Sequence, residues 1–287
     1  MTESSGTNAE QIAYWNEVSG PKWVSLTDRI NDQIEPLGRA AMDRASVASG
    51  ESVLDVGCGC GQTSLALAER VGEGGRVLGV DISEPMLVDA HARVERAGVG
   101  QVEYVRADGQ VHDFESAAFD LLFSRFGVMF FEDPRAAFAN LRGALRPAGR
   151  LTFICWQAIT KNPWMLIPAA ATAQHVELPA PAESTAPGPF AFADADRVVD
   201  ILESAGFSDV RAEAHEGRLS VGRGLPLAEI VSFLQQMGPA GAALRDADPS
   251  VIEAVTKSMH QALAPHYEDG AVVMDFGAWI LTASNTA

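Results

Sequence analysis

Between residues 51 and 156, short apolar runs alternate with segments whose apolar residues recur at helical spacing. The runs are ESVLDVG (51–57), GRVLGVDIS (75–83), QVEYVRAD (101–108), FDLLFSRF (119–126) and GRLTFICW (149–156). Each is nearly continuous in its hydrophobicity, as strands are when both faces of their sheet are covered. QTSLALAER, EPMLVDAHARVERAG and DPRAAFANLRGALR lie between them with one apolar face each. In the last of these, Asp133 stands at the N-cap, Pro134 at the first helical position and Pro147 beyond the end. Strand, helix, strand repeated in this way predicts an α/β fold, a doubly wound and mostly parallel sheet with helices on both faces.

The flanks read differently. Residues 1–50 predict an N-terminal helical cap carrying Tyr14, Trp15 and Trp23, ahead of the α/β core at 51–156. Six of the fifteen prolines then fall between Pro163 and Pro189, around the alanine-rich helix MLIPAAATAQHV and the loop LPAPAESTAPGPF. A long connection beyond a strand of an α/β sheet is commonly a lid or binding loop. Residues 157–205 are therefore expected to be a lid insertion that ends in a helix over 194–205. Residues 206–287 predict a strand at 209–221, two helices within 226–265 and a final strand at 271–283, seven strands in all within one compact domain.

Composition narrows the partners. The chain of 287 residues has 38 acidic and 21 basic side chains, a net charge of −17, and no run of Lys or Arg. That excludes the clustered basic surface of a nucleic-acid binder and argues against anionic membranes, leaving small molecules as expected partners. The longest apolar runs, such as LTFIC at 151–155, fall far short of the ~18 residues of a membrane-spanning helix. MTESSGTNAEQ at the start has neither the basic nor the apolar stretch of a secretory signal, so the expected location is the cytoplasm. Cys58, Cys60 and Cys155 give neither a disulfide framework nor a four-ligand zinc set, and no metal site is expected.

The chemistry begins at VLDVGCGCG, residues 53–61. A strand runs into a turn with Gly57, Gly59 and Gly61, and a helix opens near Gln62. Glycines admit positive φ and let a ligand approach backbone, and the helix start offers free N–H groups. A dinucleotide fingerprint needs a third glycine where Gln62 stands. Asp55, two residues ahead of Gly57, would oppose a pyrophosphate but suit a ligand bearing an ammonium group. Asp81, at the tip of the second strand, is placed to accept from ribose hydroxyls, or else to start the next helix with Ser83. Asp108 ends the third strand, where it can accept from an exocyclic amine or simply form a turn before Gly109.

Three acids at the ends of three consecutive strands make the chain resemble the class I S-adenosyl-L-methionine-dependent methyltransferases, with a Rossmann-like fold whose last strands form a reversed hairpin. The resemblance implies that Asp55, Gly57 and Gly59 hold the methionine part of the cofactor. It implies that Asp81 binds the ribose, with Ile82 and Met86 against the adenine and Asp108, Gly109 and Gln110 at the adenine edge. Ser124 and Arg125 would lie beside the methionine moiety and the reacting sulfonium. The product left after transfer would be S-adenosyl-L-homocysteine.

Ser124-Arg125-Phe126-Gly127 after the fourth strand is not the motif of amino-methylating enzymes, and no Pro-Cys pair or acidic metal set stands there. What remains resembles bacterial enzymes that methylate quinones and natural products. The expected reaction is in-line transfer to a small organic acceptor, most simply at oxygen, in which alignment does most of the work. Trp15, Trp23, Arg125, Phe126, Trp156 and Trp164 are the expected acceptor pocket, with Phe190 beside them. His175 in the lid helix is the first candidate for a general base, ahead of His215 and His112. Two other readings stay open: an enzyme such as a cyclase or lyase that binds the cofactor without consuming its methyl group, and a cofactor-binding regulatory subunit.

Overall fold

The computed structural model describes residues 8–179 and 185–286. Five strands, β1 (Ser52–Val56), β2 (Arg76–Asp81), β3 (Val102–Arg106), β4 (Phe119–Arg125) and β5 (Leu145–Trp156), pair in parallel in the order β3-β2-β1-β4-β5. The strand order reverses between β1 and β4, so the carboxyl ends of these two strands open a crevice, the usual ligand position of such sheets. All five residues of β1 are buried.

The other three strands are β6 (Ser208–Val221), β7 (Tyr267–Glu268) and β8 (Ala271–Ser284). β8 lies antiparallel between β5 and β6, which is the expected reversed hairpin. The sheet has eight strands rather than seven, because the short β7 folds back on β8. The intervening Asp269 and Gly270 have φ of 49° and 75°, the two positive values a two-residue hairpin turn requires. The Asp-Gly pair was the signal for it.

Helices cover both faces. At the N-terminus α1 (Ala9–Ala13) passes through a π-helical turn at Tyr14–Val18 into the long α2 (Ser19–Ala45). α3 (Gln62–Val71), α4 (Glu84–Ala97) and α5 (Pro134–Ala144) follow β1, β2 and β4. Asp133 caps α5 as expected, its carboxylate accepting from the Ala136 N–H at 3.0 Å. Next come α6 (Pro163–Thr172) and α7 (Ala195–Ser204). The alanine-rich helix thus starts and stops earlier than its sequence implied. Part of the proline-rich loop that follows, residues 180–184, lies outside the described residues.

Where two helices were expected there are three, α8 (Leu227–Leu234), α9 (Gly238–Ala243) and α10 (Pro249–Leu263). Gly238, at φ 54°, and Pro249 supply the two breaks. One continuous core joins all these layers, from Ile30 and Leu37 of α2 through Leu54 and Phe123 of the sheet to Phe233 and Met259 of the α8–α10 cap. Among the described residues no helix is long and apolar enough to cross a membrane.

Candidate active site

The crevice between β1 and β4 is a cleft floored by the glycine turn. Gly57, Gly59 and Gly61 have φ of 68°, 56° and 83°. A Cβ on Gly57 would lie 2.7 Å from the Cα of Gly127, so the turn and the loop after β4 touch backbone to backbone. The N–H groups of Gly57 and Cys58 both donate to the Val80 carbonyl, at 2.8 and 3.1 Å, which ties the turn to the end of β2. Gln62, the residue that spoils a dinucleotide motif, donates from Nε2 to Thr27 Oγ1 at 2.7 Å and fastens α2 to the turn.

The three acids surround this floor. Asp55 is fully buried under the turn; its Oδ2 accepts from the Ser64 hydroxyl at 2.7 Å, and its Oδ1 has no donor among the described residues. Burial pushes its carboxyl up to about 7, while the Ser64 hydroxyl and the Arg125 guanidinium pull the other way. Asp81 lines the cleft, and its Oδ2 and Oδ1 accept from the N–H groups of Gly59 and Ser83 at 2.8 and 2.9 Å. Burial raises its carboxyl too, against those bonds. Asp108 also lines the cleft; its Oδ1 accepts from the Gln110 N–H at 2.9 Å, and its Oδ2 is buried with no donor among the described residues. Unpaired buried acceptors are costly, so the orphan oxygen of Asp108, which borders the cleft, calls for a donor from outside the chain, whereas that of Asp55 lies behind the turn and does not line the cleft.

Asp81 and Ser83 do not cap α4. The Ser83 hydroxyl turns away to donate to the Trp15 carbonyl at 2.8 Å, and Asn16 serves in its place. Asn16 Oδ1 accepts from the Glu84 N–H at 3.0 Å, and its Nδ2 donates to the Ile82 carbonyl at 2.9 Å. The π-helical turn that carries Trp15 and Asn16 is thereby held against the mouth of the cleft.

Above the floor the walls are aromatic. Trp15 meets Trp23 and Phe130 edge to face at 5.8 and 5.0 Å between centroids, and all three line the cleft with Phe126 and Phe131. Phe126 holds the left-handed φ of 61°, rare for a bulky side chain, with its ring stacked on Trp156 at 4.2 Å. Trp156 and Trp164 are buried behind it and do not line the cleft; the Trp164 indole instead donates to Asn162 Oδ1 at 3.2 Å.

The structure therefore brings Gly57, Gly59, Asp81, Ile82, Met86, Asp108, Gly109, Trp15, Trp23, Arg125 and Phe126 to one cleft. Gln110 and Ser124 stand just outside it, each spent on backbone: Gln110 Oε1 accepts from the Asp133 N–H, and Ser124 Oγ from the Gly127 N–H. His175 is a correction. It lies in the turn beyond the end of α6, where the ring is exposed and hydrogen-bonds Ser258 Oγ of α10 at 2.7 Å, away from the cleft. His215 and His112 lie against Phe276 and Phe114, also outside the cleft. Phe190 is half-buried and does not reach it. Ile34, Phe130 and Phe131 line the cleft without having been expected there, since only the fold decides which face of α2 and of the loop after β4 meets it.

A doubly wound sheet, a glycine turn at its switch point and acids on three strand tips define a nucleoside-binding α/β enzyme. The orphan oxygen of Asp108 narrows it further: a ligand with an exocyclic amine near β3 would supply its missing donor, and S-adenosyl-L-methionine carries one. The comparisons agree. The methyltransferase domain family matches residues 53–149. Nocamycin O-methyltransferase of Saccharothrix syringae is 33% identical over 189 residues, 63% of this chain and 67% of that protein. The ubiquinone/menaquinone biosynthesis C-methyltransferase UbiE of Klebsiella pneumoniae is 30% identical over 153 residues, 53% of this chain and 61% of its own. Among solved structures, phosphoethanolamine N-methyltransferase 2 of Haemonchus contortus, bound to S-adenosylhomocysteine, shares the fold at 21% identity and a TM-score of 0.54, over 88% of this chain and 53% of that one. The chain belongs to the S-adenosyl-L-methionine-dependent methyltransferases.

Proposed function

We propose that this enzyme transfers the methyl group of S-adenosyl-L-methionine to an oxygen atom of a small, flat, largely apolar organic acceptor. When bound, the cofactor supplies an electrophilic methyl carbon on a sulfonium. The residues of this chain would do the rest. Asp55 would take the cofactor's ammonium and the backbone of Gly57 and Gly59 its methionine part. Asp81 would take the ribose hydroxyls, Ile82 and Met86 the adenine face, and Asp108 its amine. The observation that carries the acceptor class is the aromatic wall of Trp15, Trp23, Phe126, Phe130 and Phe131 on the open side of the same cleft. Flat apolar molecules pack well on such a wall, and the ring faces also favour a neighbouring sulfonium.

Among the described residues lining the cleft there is no histidine, lysine or tyrosine. Burial pushes the Cys60 thiol up to about 12 and also raises the Cys58 thiol well above its ordinary value, so neither serves as a base at neutral pH. The chain would act by alignment and exclusion of water, on an acceptor whose own oxygen is acidic enough to arrive as its anion. The relative from Saccharothrix syringae, an O-methyltransferase, supports oxygen; UbiE, a C-methyltransferase, makes carbon the second choice. The test is turnover of methyl-¹³C-labelled cofactor with a panel of aromatic carboxylic acids, acidic phenols and hydroxyquinones, read by NMR of the product. An O–CH₃ product with release of S-adenosylhomocysteine is expected; a C–CH₃ product would transfer the reading to carbon. Turnover with the methyl group retained would mean a non-methylating reaction.

A further inference from the structure

An acceptor that arrives as an anion needs a cation in the cleft, and the described lining supplies one. Arg125, at the end of β4, is the only lysine, arginine or histidine among the described residues that line it. Burial lowers its pKa to about 10, so it is charged at neutral pH. Of the five N–H donors of a guanidinium, one is used among the described residues, Nη1 donating to Asn31 Oδ1 of α2 at 3.0 Å. Glu35 of α2 is paired with Arg39, and Asp55, on the same face of the sheet, is held by Ser64 beneath the glycine turn. Both acids act on Arg125 through space only, and no ion pair involves it among the described residues.

The long helix aims this charge. Trp23, Thr27, Asn31, Ile34 and Gly38 follow one another at intervals of four, four, three and four residues, which sets them on one face of α2. Trp23 and Ile34 line the cleft, so this face looks into it. Arg125 lies along the same face. A Cβ on Gly38 would stand 2.7 Å from the Arg125 Cδ, so a larger residue there would displace the stem. From Gly38 the side chain runs to Asn31, towards the end of the helix that carries Trp23. The guanidinium is thereby directed at the aromatic wall, where Trp23 meets Trp15 edge to face. A half-buried cation with unused N–H groups beside an apolar wall matches a flat molecule that carries one acidic oxygen.

We propose that Arg125 holds the reacting oxygen of the acceptor as its anion, so that this chain selects flat molecules with an acidic oxygen over their neutral analogues. Asn31 and Gly38 of α2 position the guanidinium. Transfer forms the O–CH₃ bond as the S–CH₃ bond breaks, the electron pair of the broken bond passing to sulfur, and no proton has to be removed. The ester or ether so formed has lost the charge by which the acceptor was held, so Arg125 favours acceptor over product. The inference rests on the oxygen-transfer reading above.

The test is calorimetric binding to the full chain saturated with S-adenosylhomocysteine. The probes are 1-naphthoate, 2-naphthoate and anthracene-2-carboxylate, each beside its carboxamide and its methyl ester. In the wild type at least one acid is expected to bind about ten- to a hundredfold more tightly than its amide and ester, the range for a charge-assisted hydrogen bond. In Arg125→Met that ratio falls towards one, and in Arg125→Lys it is intermediate, a point charge replacing a fork. No acid preferred over its amide by the wild type, or a preference kept in Arg125→Met, overturns the proposal. So does a loss of S-adenosylhomocysteine affinity in Arg125→Met with the acid preference intact, which would assign the guanidinium to the cofactor. No binding of S-adenosylhomocysteine to the wild type overturns the cofactor reading itself, and a C–CH₃ product in turnover overturns the oxygen reading. If the variants do not fold, a crystal structure of the wild type with S-adenosylhomocysteine and the preferred acid decides: the carboxylate on the guanidinium supports the proposal, and a carboxylate bound elsewhere overturns it.

Discussion

Asp55 shows how a single side chain couples burial, pH and ligand. Its carboxyl is raised from the ordinary aspartate value of 3.8 to about 7, chiefly by desolvation. A raised acid binds a proton in the folded state that the unfolded chain has released, so the group's contribution to stability is whole below about pH 4. That contribution declines as pH rises towards 7 and is then constant. A ligand ammonium beside the carboxylate favours the charged form, so binding between those limits must expel the proton. Affinity for S-adenosylhomocysteine should therefore fall as pH drops below 7, by up to about tenfold per unit, and level off above it. Asp55→Asn should bind weakly with a flat pH dependence over the same window, measured by calorimetry from pH 5.5 to 8.5. A steep profile retained in that variant would place the titrating group elsewhere, with Asp81, also raised by burial, the next to examine. Residues of this kind were legible in the sequence because their context is local: an acid, a glycine turn and a strand tip stand within a few positions. Arg125 was legible only as a neighbour of the site. Its relation to Asn31 and Gly38 depends on how α2 crosses β4, which no local pattern records.

At the scale of elements, the N-terminal helices form a clasp on the core. Asn16 bonds the Ile82 carbonyl and caps α4, Trp15 accepts from Ser83, and the Asn8 N–H donates to Glu132 Oε2 at 2.6 Å across the cleft. Gly20 is part of the same seat, because a Cβ there would lie 3.1 Å from Pro85 Cγ. Asn16→Ala removes both the cap and the bond to Ile82. A lost cap costs ~1 kcal/mol, which for a chain of this size lowers Tm by roughly 2–4 °C. Dissociation of S-adenosylhomocysteine should quicken in the same variant, since the clasp carries Trp15 into the wall of the cleft; stopped-flow displacement would measure it. Asn16→Asp keeps the cap acceptor but loses the donor to Ile82, and so should recover part of the stability. Unchanged dissociation in Asn16→Ala would make the contact structural only. The strands and core helices are legible in the periodicity, and the Asp269-Gly270 pair marks the turn before β8. The three-way break in the α8–α10 cap was less so, because Gly238 and Pro249 interrupt one apolar periodicity without changing its composition. His175 falls outside the cleft for a related reason: the apolar run MLIPAAATAQHV does not record that its helix ends at Thr172, which leaves His175 in the turn beyond, against Ser258 of α10.

For the molecule as a whole, the decisive quantity is its surplus of 17 negative charges. Two effects of salt compete. Among the described residues, ion pairs engage twelve of the 21 basic side chains, nearly all at the surface, as with Arg29–Glu229 and Arg218–Glu268. Such exposed pairs contribute about 0–1 kcal/mol each, and screening weakens them. Against this stands the repulsion of surplus carboxylates, which extends over the surface and is summed over many distances. At low ionic strength the Debye length reaches ~30 Å, so repulsion acts across the molecule, whereas pairs in contact feel salt weakly. The long-range term should win. Raising NaCl from about 10 mM to about 150 mM, where the Debye length is ~8 Å, should raise Tm at pH 8 by a few degrees. Near the pI of about 4.7 the surplus is titrated away and the same addition should leave Tm unchanged or lower it. Scanning calorimetry at the two pH values separates the terms. A Tm that falls with salt at pH 8 would mean that the arginine pairs fastening the elements, Arg150–Glu51 and Arg146–Asp120 foremost, outweigh the repulsion of the surface they sit in.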